Sequence, residues 1–330
     1  MAVVAVTQNF VIDQAITEAL HHLELETLIR GKRVAVKPND TWASAEDTTA
    51  VTQPDTLCAV LRYVQRFMPR ELVVTGGAGA SETGEVFRLA GLMDVVLQEG
   101  ATFFDHNRPP FTAVALEYQP EADVQGPQTS VMVNPRVLEY DTLIALNQLK
   151  VHQTATVTLT LKNIAMSYPA ADYYGHPRLT QHHRHWFFED MHSFIAAMAR
   201  RFRIHLAVTV GHPAMIGTGP LGGHAVETGL VIASTDPLAA DVVGAKLLGF
   251  QVQAVRHLWE GRAVGDRRPH ALRPLRIWAS VSPFCKRSMP WATKCPLPSR
   301  RRRFRRCLEA ETSSARRRPA PAKRLPLRCR

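Results

Sequence analysis

An α/β fold, with a Rossmann-like, mixed but mainly parallel sheet flanked by helices, is what this sequence predicts, and three observations carry it. Over residues 1–260 short apolar runs alternate with stretches of helical spacing, the pattern of βαβ units. The 330-residue chain is 45% hydrophobic, enough for a sizeable core. Charge then divides it. Residues 1–260 hold 19 Lys and Arg against 26 Asp and Glu, a net of −7, whereas residues 261–330 hold 21 against 3, a net of +18. The expected organisation is one α/β domain, 1–260, and a basic tail, 261–330, that is disordered or aberrant.

The elements follow in order. VVAV near the start fits a short strand, and residues 13–28 a helix with Asp13 as its acidic N-cap. RVAVKPN (33–39) is strand-like, and residues 55–67 have helix spacing, with Leu57, Val60, Leu61 and Val64 on one stripe. ELVVTGG (71–77) is a second strand, followed by a helix over 82–97 and a strand in ATFFDHN (101–107). FTAVALEY and TSVMVN alternate like strands around a polar, proline-bearing turn, which breaks pure βαβ order. YDTLIAL (140–146) is a buried strand, and VTLTLKN (157–163) alternates like a half-buried one, with Val157, Leu159 and Leu161 on one face. Residues 167–184, rich in Tyr, Pro, His and Gly, form a long loop into a helix over 186–200. RIHLAVTVG (203–211) and ETGLVIAS (227–234) are strands on either side of the turn GTGPLGG (217–223). Asp236-Pro237 opens a helix that stops at Gly249, and residues 253–259 add a last turn or two.

The chemistry concentrates at predicted strand ends, the edge where ligand crevices open in α/β proteins. Lys37 and Asn39, Lys150 and His152, and Lys162 and Asn163 all fall there. One such lysine alone is most simply a snorkelling side chain, but three that converge form an anion site. In that site the lysines neutralise charge and His152 moves a proton. Gly217 and Gly219 would let backbone approach a ligand, although a tight turn needs the same glycines. Asp236 caps its helix, while Asp241, among apolar residues, pairs with a lysine or holds a metal. Asp105 could ligate a metal or simply form a turn, and His182 and His185 at i,i+3 could share one. His176, His183 and His192 complete a local excess best read as solvated loop histidines. GGAGASETG (76–84) fits no dinucleotide or Walker pattern.

Cys58 is the one cysteine of the body, and Cys285, Cys295, Cys307 and Cys329 lie in the tail without any C-x-x-C pair. No iron–sulfur motif is present, the cofactor is unknown, and the usage suits a reducing compartment. The start lacks a basic n-region, and no apolar run approaches the length of a membrane span. A cytoplasmic protein without a membrane partner is expected. The tail, centred on RRRRFRR (300–306), has three readings: a basic arm for nucleic acid, a solvated tail without a partner, or the product of a reading frame slipped near residue 260. Nucleic acid is otherwise not an expected partner.

The order KPN (37–39), Asp105, LKVH (149–152), VTLTLKN (157–163), AMIGTGP (214–220) and STDPLAAD (234–241) resembles the uncharacterised bacterial and archaeal family known as domain of unknown function 362, over about residues 34–259. The most specific parts are Lys-x-His followed ten residues later by Lys-Asn, and Asp-Pro-x-Ala-x-Asp. Some members carry ferredoxin-like cysteines, so the resemblance implies a redox accessory with an iron–sulfur partner as an alternative to an enzyme acting on a small anionic substrate. This sequence has none of those cysteines, and it has Val210-Gly211 where the family often has Asp-Gly.

Overall fold

The apolar runs RVAVKP, ELVVTG and TLIAL lack a polar face, so their strands must be covered on both sides. The structure, a computed structural model, describes residues 2–79, 81–118, 129–174, 190–261 and 275–281. The described strands are β1 (Ala2–Gln8), β2 (Arg33–Pro38), β3 (Glu71–Gly76), β4 (Thr102–Asp105), β5 (Thr112–Ala115), β6 (Ser130–Val133), β7 (Thr142–His152), β8 (Thr156–Thr158), β9 (Leu206–Ile216), β10 (His224–Val226), β11 (Leu230–Ser234) and β12 (Leu275–Val281). The described α-helices are α1 (Ile12–His21), α2 (Glu26–Ile29), α3 (Pro54–Gln65), α4 (Thr83–Leu89), α5 (Leu92–Gln98), α6 (Thr160–Ser167), α7 (Ala171–Tyr174), α8 (Met191–Arg201), α9 (Pro237–Leu247) and α10 (Arg256–Gly261).

The main sheet runs β12-β1-β11-β9-β7-β2-β3-β4, with β10 beside β9 and β8 beside β7. Neighbours from β9 to β4 are parallel, whereas β11 is antiparallel to both β9 and β1. The sheet is therefore mixed and mainly parallel. Because successive strand residues face opposite sides, Val34, Val36, Ile144 and Leu146 pack with α1, α3, α4 and α5. Ala35, Leu143 and Ala145 pack on the other face with α6, α8, α9 and the β5-β6 hairpin.

Strand order decides where a ligand could enter. The chain lays β3 and β4 outward on one side of β2, then adds β7 and β9 on the other. The order reverses between β2 and β7, and a crevice opens beyond the carboxyl ends at such a switch point.

Four elements depart from the sequence expectation. The helix over 13–28 divides into α1 and α2, and its N-cap is Val11, with Asp13 in the first turn. The helix over 82–97 divides at Gly91, whose φ of +68° interrupts it while the apolar stripe carries on into α5. VTLTLKN is only briefly extended: β8 ends at Thr158 and α6 begins at Thr160. Lys162 and Asn163 are thus helical, not at a strand end. Finally, the body does not end at 260, because β12 pairs in parallel with β1 and covers an edge of the sheet. Basic composition masked that strand in the sequence. Most of the predicted loop over 167–184, the first turn of the helix over 186–200, and RRRRFRR lie outside the described residues.

Candidate functional site

An ammonium can donate three hydrogen bonds, and the three lysines differ in how many they make. Lys37, 0% exposed at the end of β2, makes all three: to Pro38 O at 2.6 Å, Asp40 Oδ1 at 2.5 Å and Asn163 Oδ1 at 3.3 Å. Lys150, on β7, makes two, to Asn39 Oδ1 at 2.8 Å and Ala50 O at 2.7 Å. Lys162, 8% exposed in the first turn of α6, has no hydrogen-bond or ion-pair partner among the described residues. Burial lowers all three, Lys150 being pushed further down by Lys162 and Lys37, whereas Asp40 opposes the effect at Lys37. Lys162 falls to about 7 by burial alone.

The asparagines knit these groups together. Asn163 Oδ1 accepts from Lys37 and, at 3.4 Å, from Asn39 Nδ2, while its Nδ2 donates to Asn147 Oδ1 at 2.8 Å. Asn147 in turn reaches Thr160 Oγ1 at 2.9 Å. The sequence-predicted Lys37, Asn39, Lys150 and Asn163 therefore do converge at the switch point, but Lys37, Asn39 and Asn163 are bonded to one another there. Sequence reasoning missed Asp40, which joins Lys37 to Gly77 N at 2.8 Å, and Asn147. The acid three residues after a strand-end lysine was the available signal for the first.

Among the described residues Asp241 pairs with no lysine and joins no group of His, Cys, Asp or Glu that could hold a metal ion. From α9 its Oδ1 and Oδ2 accept from the backbone N–H groups of Thr160 and Leu161 at 2.8 and 2.9 Å, closing the start of α6 from outside. This is why the chain turns helical at Thr160, and it sets Lys162 in place. Burial pushes the Asp241 carboxyl up to about 7, against the pull of those N–H groups. Asp236 caps α9 as expected, accepting from Ala239 N at 3.0 Å.

On the β7-β8 hairpin, Lys150 and His152 share one face by strand alternation, and Thr158 lies directly opposite Lys150. The buried Thr158 hydroxyl has no hydrogen-bond partner. His152 Nδ1 accepts from the N–H groups of Thr154 and Ala155, both at 3.1 Å. A neutral imidazole then carries its proton on Nε2. Burial first, then Lys162 and Lys150, lowers His152 to about 2, so it stays neutral. Gly219 O accepts from Gln153 N at 2.9 Å, docking the GTGP turn beside this hairpin. A Cβ on Gly219 would stand 2.2 Å from Val151 O, and Gly217 has φ +85°. Both glycines thus serve the turn and its close approach to backbone.

Asp105 forms the turn after β4, accepting from Asn107 N at 3.0 Å and pairing with Arg108 at 3.2 Å. It joins no metal set, and among the described residues no group of three His, Cys, Asp or Glu is arranged to hold a metal ion. His182 and His185, with His176 and His183, lie outside the described residues. His106 is buried, with Nδ1 at 2.8 Å from Thr75 Oγ1 and Nε2 at 2.9 Å from Ser167 O. Burial, then Lys37, lowers it to about 3. A Cβ on Gly77 would meet His106 Nε2 at 2.0 Å and Ser167 O at 2.8 Å. Gly77→Ala is therefore expected to cost about 1–3 kcal/mol or more by overpacking. A wild-type melting temperature in that variant would show that the site yields freely. His192 is no solvated loop residue either, since it lies half-buried on α8 against His257.

Fold and site together define an α/β protein with a buried cluster of lysines and asparagines at the switch point of a mainly parallel sheet. The chain belongs to the family Domain of unknown function (DUF362), whose family model matches residues 34–246. It is 25% identical over 221 residues to the Thylakoid-associated protein sll1697 of Synechocystis sp., a match covering 64% of this chain and 62% of that relative. Among solved structures it is similar to the lactate racemase apoprotein from Thermoanaerobacterium thermosaccharolyticum, with 14% identity and a TM-score of 0.46 over 76% of this chain and 57% of the other. Among the described residues no helix is long and apolar enough to cross a membrane.

Proposed function

We propose that this protein is an enzyme acting on a small anionic substrate held at the carboxyl ends of β2 and β7, with Lys162 as the charge partner. One observation carries this reading: Lys162 is 8% exposed as a whole residue, and its ammonium is bonded to nothing described. Burying such a group alone is unfavourable, and a phosphate or carboxylate would offset that cost. Lys150 keeps one free N–H, and Thr158 keeps its hydroxyl, on the neighbouring hairpin face. His152 would not lift a proton from the substrate, because its bare nitrogen is already occupied by backbone. Its Nε2–H, on a neutral ring, is suited to stabilising negative charge that grows on a substrate oxygen. Lys37, Asn39, Asn163 and Asp241 would hold these groups in place, with Gly217 and Gly219 shaping the rim.

The test is calorimetric titration with sulfate, whose charge is constant from about pH 6 to about pH 9. Free Lys162 loses its proton above about 7, whereas the anion complex must keep it. Affinity should be level below that pH and fall by up to about tenfold per unit above it, with proton uptake on binding. Lys150, also lowered, adds in the same sense, and His152, His192 and His257, all lowered by burial, stay neutral in this window. An affinity independent of pH would remove Lys162 from the site.

A further inference from the structure

The register between β7 and β9 slips beside the lysine cluster. Gln148 stands opposite Val210 but Lys150 opposite Met215, so residues 211–214 of β9 bulge out against Leu149 alone. Bulges of this kind re-aim side chains next to functional sites. Here the bulge carries His212 between two carboxylates that come from distant parts of the chain. Its Nε2 lies 2.9 Å from Asp55 Oδ2, in the first turn of α3, and its Nδ1 lies 2.7 Å from Glu227 Oε2, in the connection from β10 to β11.

A carboxylate only accepts, and a neutral imidazole has a single N–H. Both distances are therefore hydrogen bonds only when the ring carries two protons, as the imidazolium. A neutral ring would turn a lone pair on one of the two carboxylates. Neither carboxylate can swing away freely, because Asp55 Oδ1 also accepts from Thr56 N at 2.7 Å and Glu227 Oε1 from Gly229 N at 3.0 Å. Among the described residues Asp55 and Glu227 are the charged groups paired with His212.

What this bridge holds is the segment that runs from β2 into α3, residues 39–53. That segment supplies both acceptors of the Lys150 ammonium, Asn39 Oδ1 and Ala50 O. It closes on itself through Thr52 N, which donates to Asn39 O at 2.8 Å. Gln148 pins its middle to the same bulge, donating to Thr49 O at 2.5 Å and to Pro213 O at 2.9 Å. Of the side chains in this attachment, the imidazole is the type that changes charge near neutral pH.

We propose that His212 is a charge-operated latch on segment 39–53: as an imidazolium it clamps the start of α3 to β9 and keeps the segment closed over Lys150, and as a neutral ring it lets the segment open. The effect is modest, since the side chains of His212, Asp55 and Glu227 are 25%, 54% and 42% exposed and water screens the pairs. The latch uses no contact of Lys162, so its failure would leave the proposed anion site standing. Other charged groups belong to the segment or touch it: Asp40 on Lys37, Glu46 on Ser44, Asp47 on Thr49, and Lys37 and Lys150, both lowered by burial. Variants separate these from His212.

Hydrogen exchange of the Thr52 amide in the full chain reads the segment, taken as protection over intrinsic exchange and relative to core amides of β2, so that global stability cancels. Between about pH 5 and about pH 9, which bracket the imidazole range, wild-type protection should fall about fivefold. His212→Gln, with the same neutral donor at every pH, should show the lower protection throughout. Glu227→Gln should show the higher protection throughout, because its amide N–H can meet the bare Nδ1 while Nε2–H keeps Asp55. The second variant decides alone if His212→Gln does not fold. Wild-type protection that does not change with pH would overturn the latch. So would a fall of the same size in either variant, which would assign it to the lysines, or low protection at both pH values in Glu227→Gln.

Discussion

Lys37→Met is expected to lower the unfolding free energy by about 3–5 kcal/mol, the cost of stranding one member of a buried ion pair. Lys37 and Asp40 are 0% and 3% exposed in their side chains and 2.5 Å apart. Removing the ammonium leaves the Asp40 carboxylate with Gly77 N, and it also strips a donor from Pro38 O and from Asn163 Oδ1. Water has little access to any of them. The measurement is the urea midpoint, with the slope unchanged so that the shift reports stability alone. Adding Asp40→Asn should recover part of the loss, because a neutral amide can still accept from Gly77. A loss below about 1 kcal/mol, the range of exposed pairs, would mean that the pair is hydrated.

Lys162→Met should act in the opposite direction on stability and strongly on binding. Without an anion, the wild-type ammonium is buried and unpaired, so its removal should stabilise the protein by about 1–3 kcal/mol near pH 6. The sign follows from linkage: a lysine whose folded pKa is depressed to about 7 carries its full unfavourable contribution below that pH. The contribution is shed between there and the ordinary lysine range, where the unfolded chain binds more protons than the native one. The gain from Lys162→Met should therefore shrink as pH rises. Sulfate affinity should meanwhile fall by about 100-fold, within the about 2–5 kcal/mol lost when a buried charge pair loses one partner. If Lys162→Met destabilises as Lys37→Met does, Lys162 is a structural lysine and the proposed site is empty of its charge. The same substitution at two buried lysines thus separates architecture from function.

Much of this arrangement was legible in the chain. The strands β2, β3 and β7 announced themselves as apolar runs because each is covered on both faces, and Pro237 behind Asp236 marked the start of α9. Lys37, Lys150 and Asn39 were placed correctly at the ends of β2 and β7 by the same runs. Lys162 was placed in the right neighbourhood for the wrong reason. Alternation in VTLTLKN suggests a strand, but Asp241, about eighty residues later, supplies the cap that makes it a helix. No local pattern holds that information. The stacking of His257 on His192 was equally hidden, since it joins residues far apart in the chain.

The sequence by itself determined the class of fold, the strands of the parallel core and the gathering of cations at their carboxyl ends, because hydrophobic periodicity and strand-end chemistry are local. Only the tertiary structure decided which of those cations are already satisfied. Lys37 and Lys162 look alike as residues, and what separates them is the presence of Asp40 beside one ammonium and of no described partner beside the other. Hydrogen-bond satisfaction is a property of neighbours brought together from distant segments, so it exists only once the chain has folded.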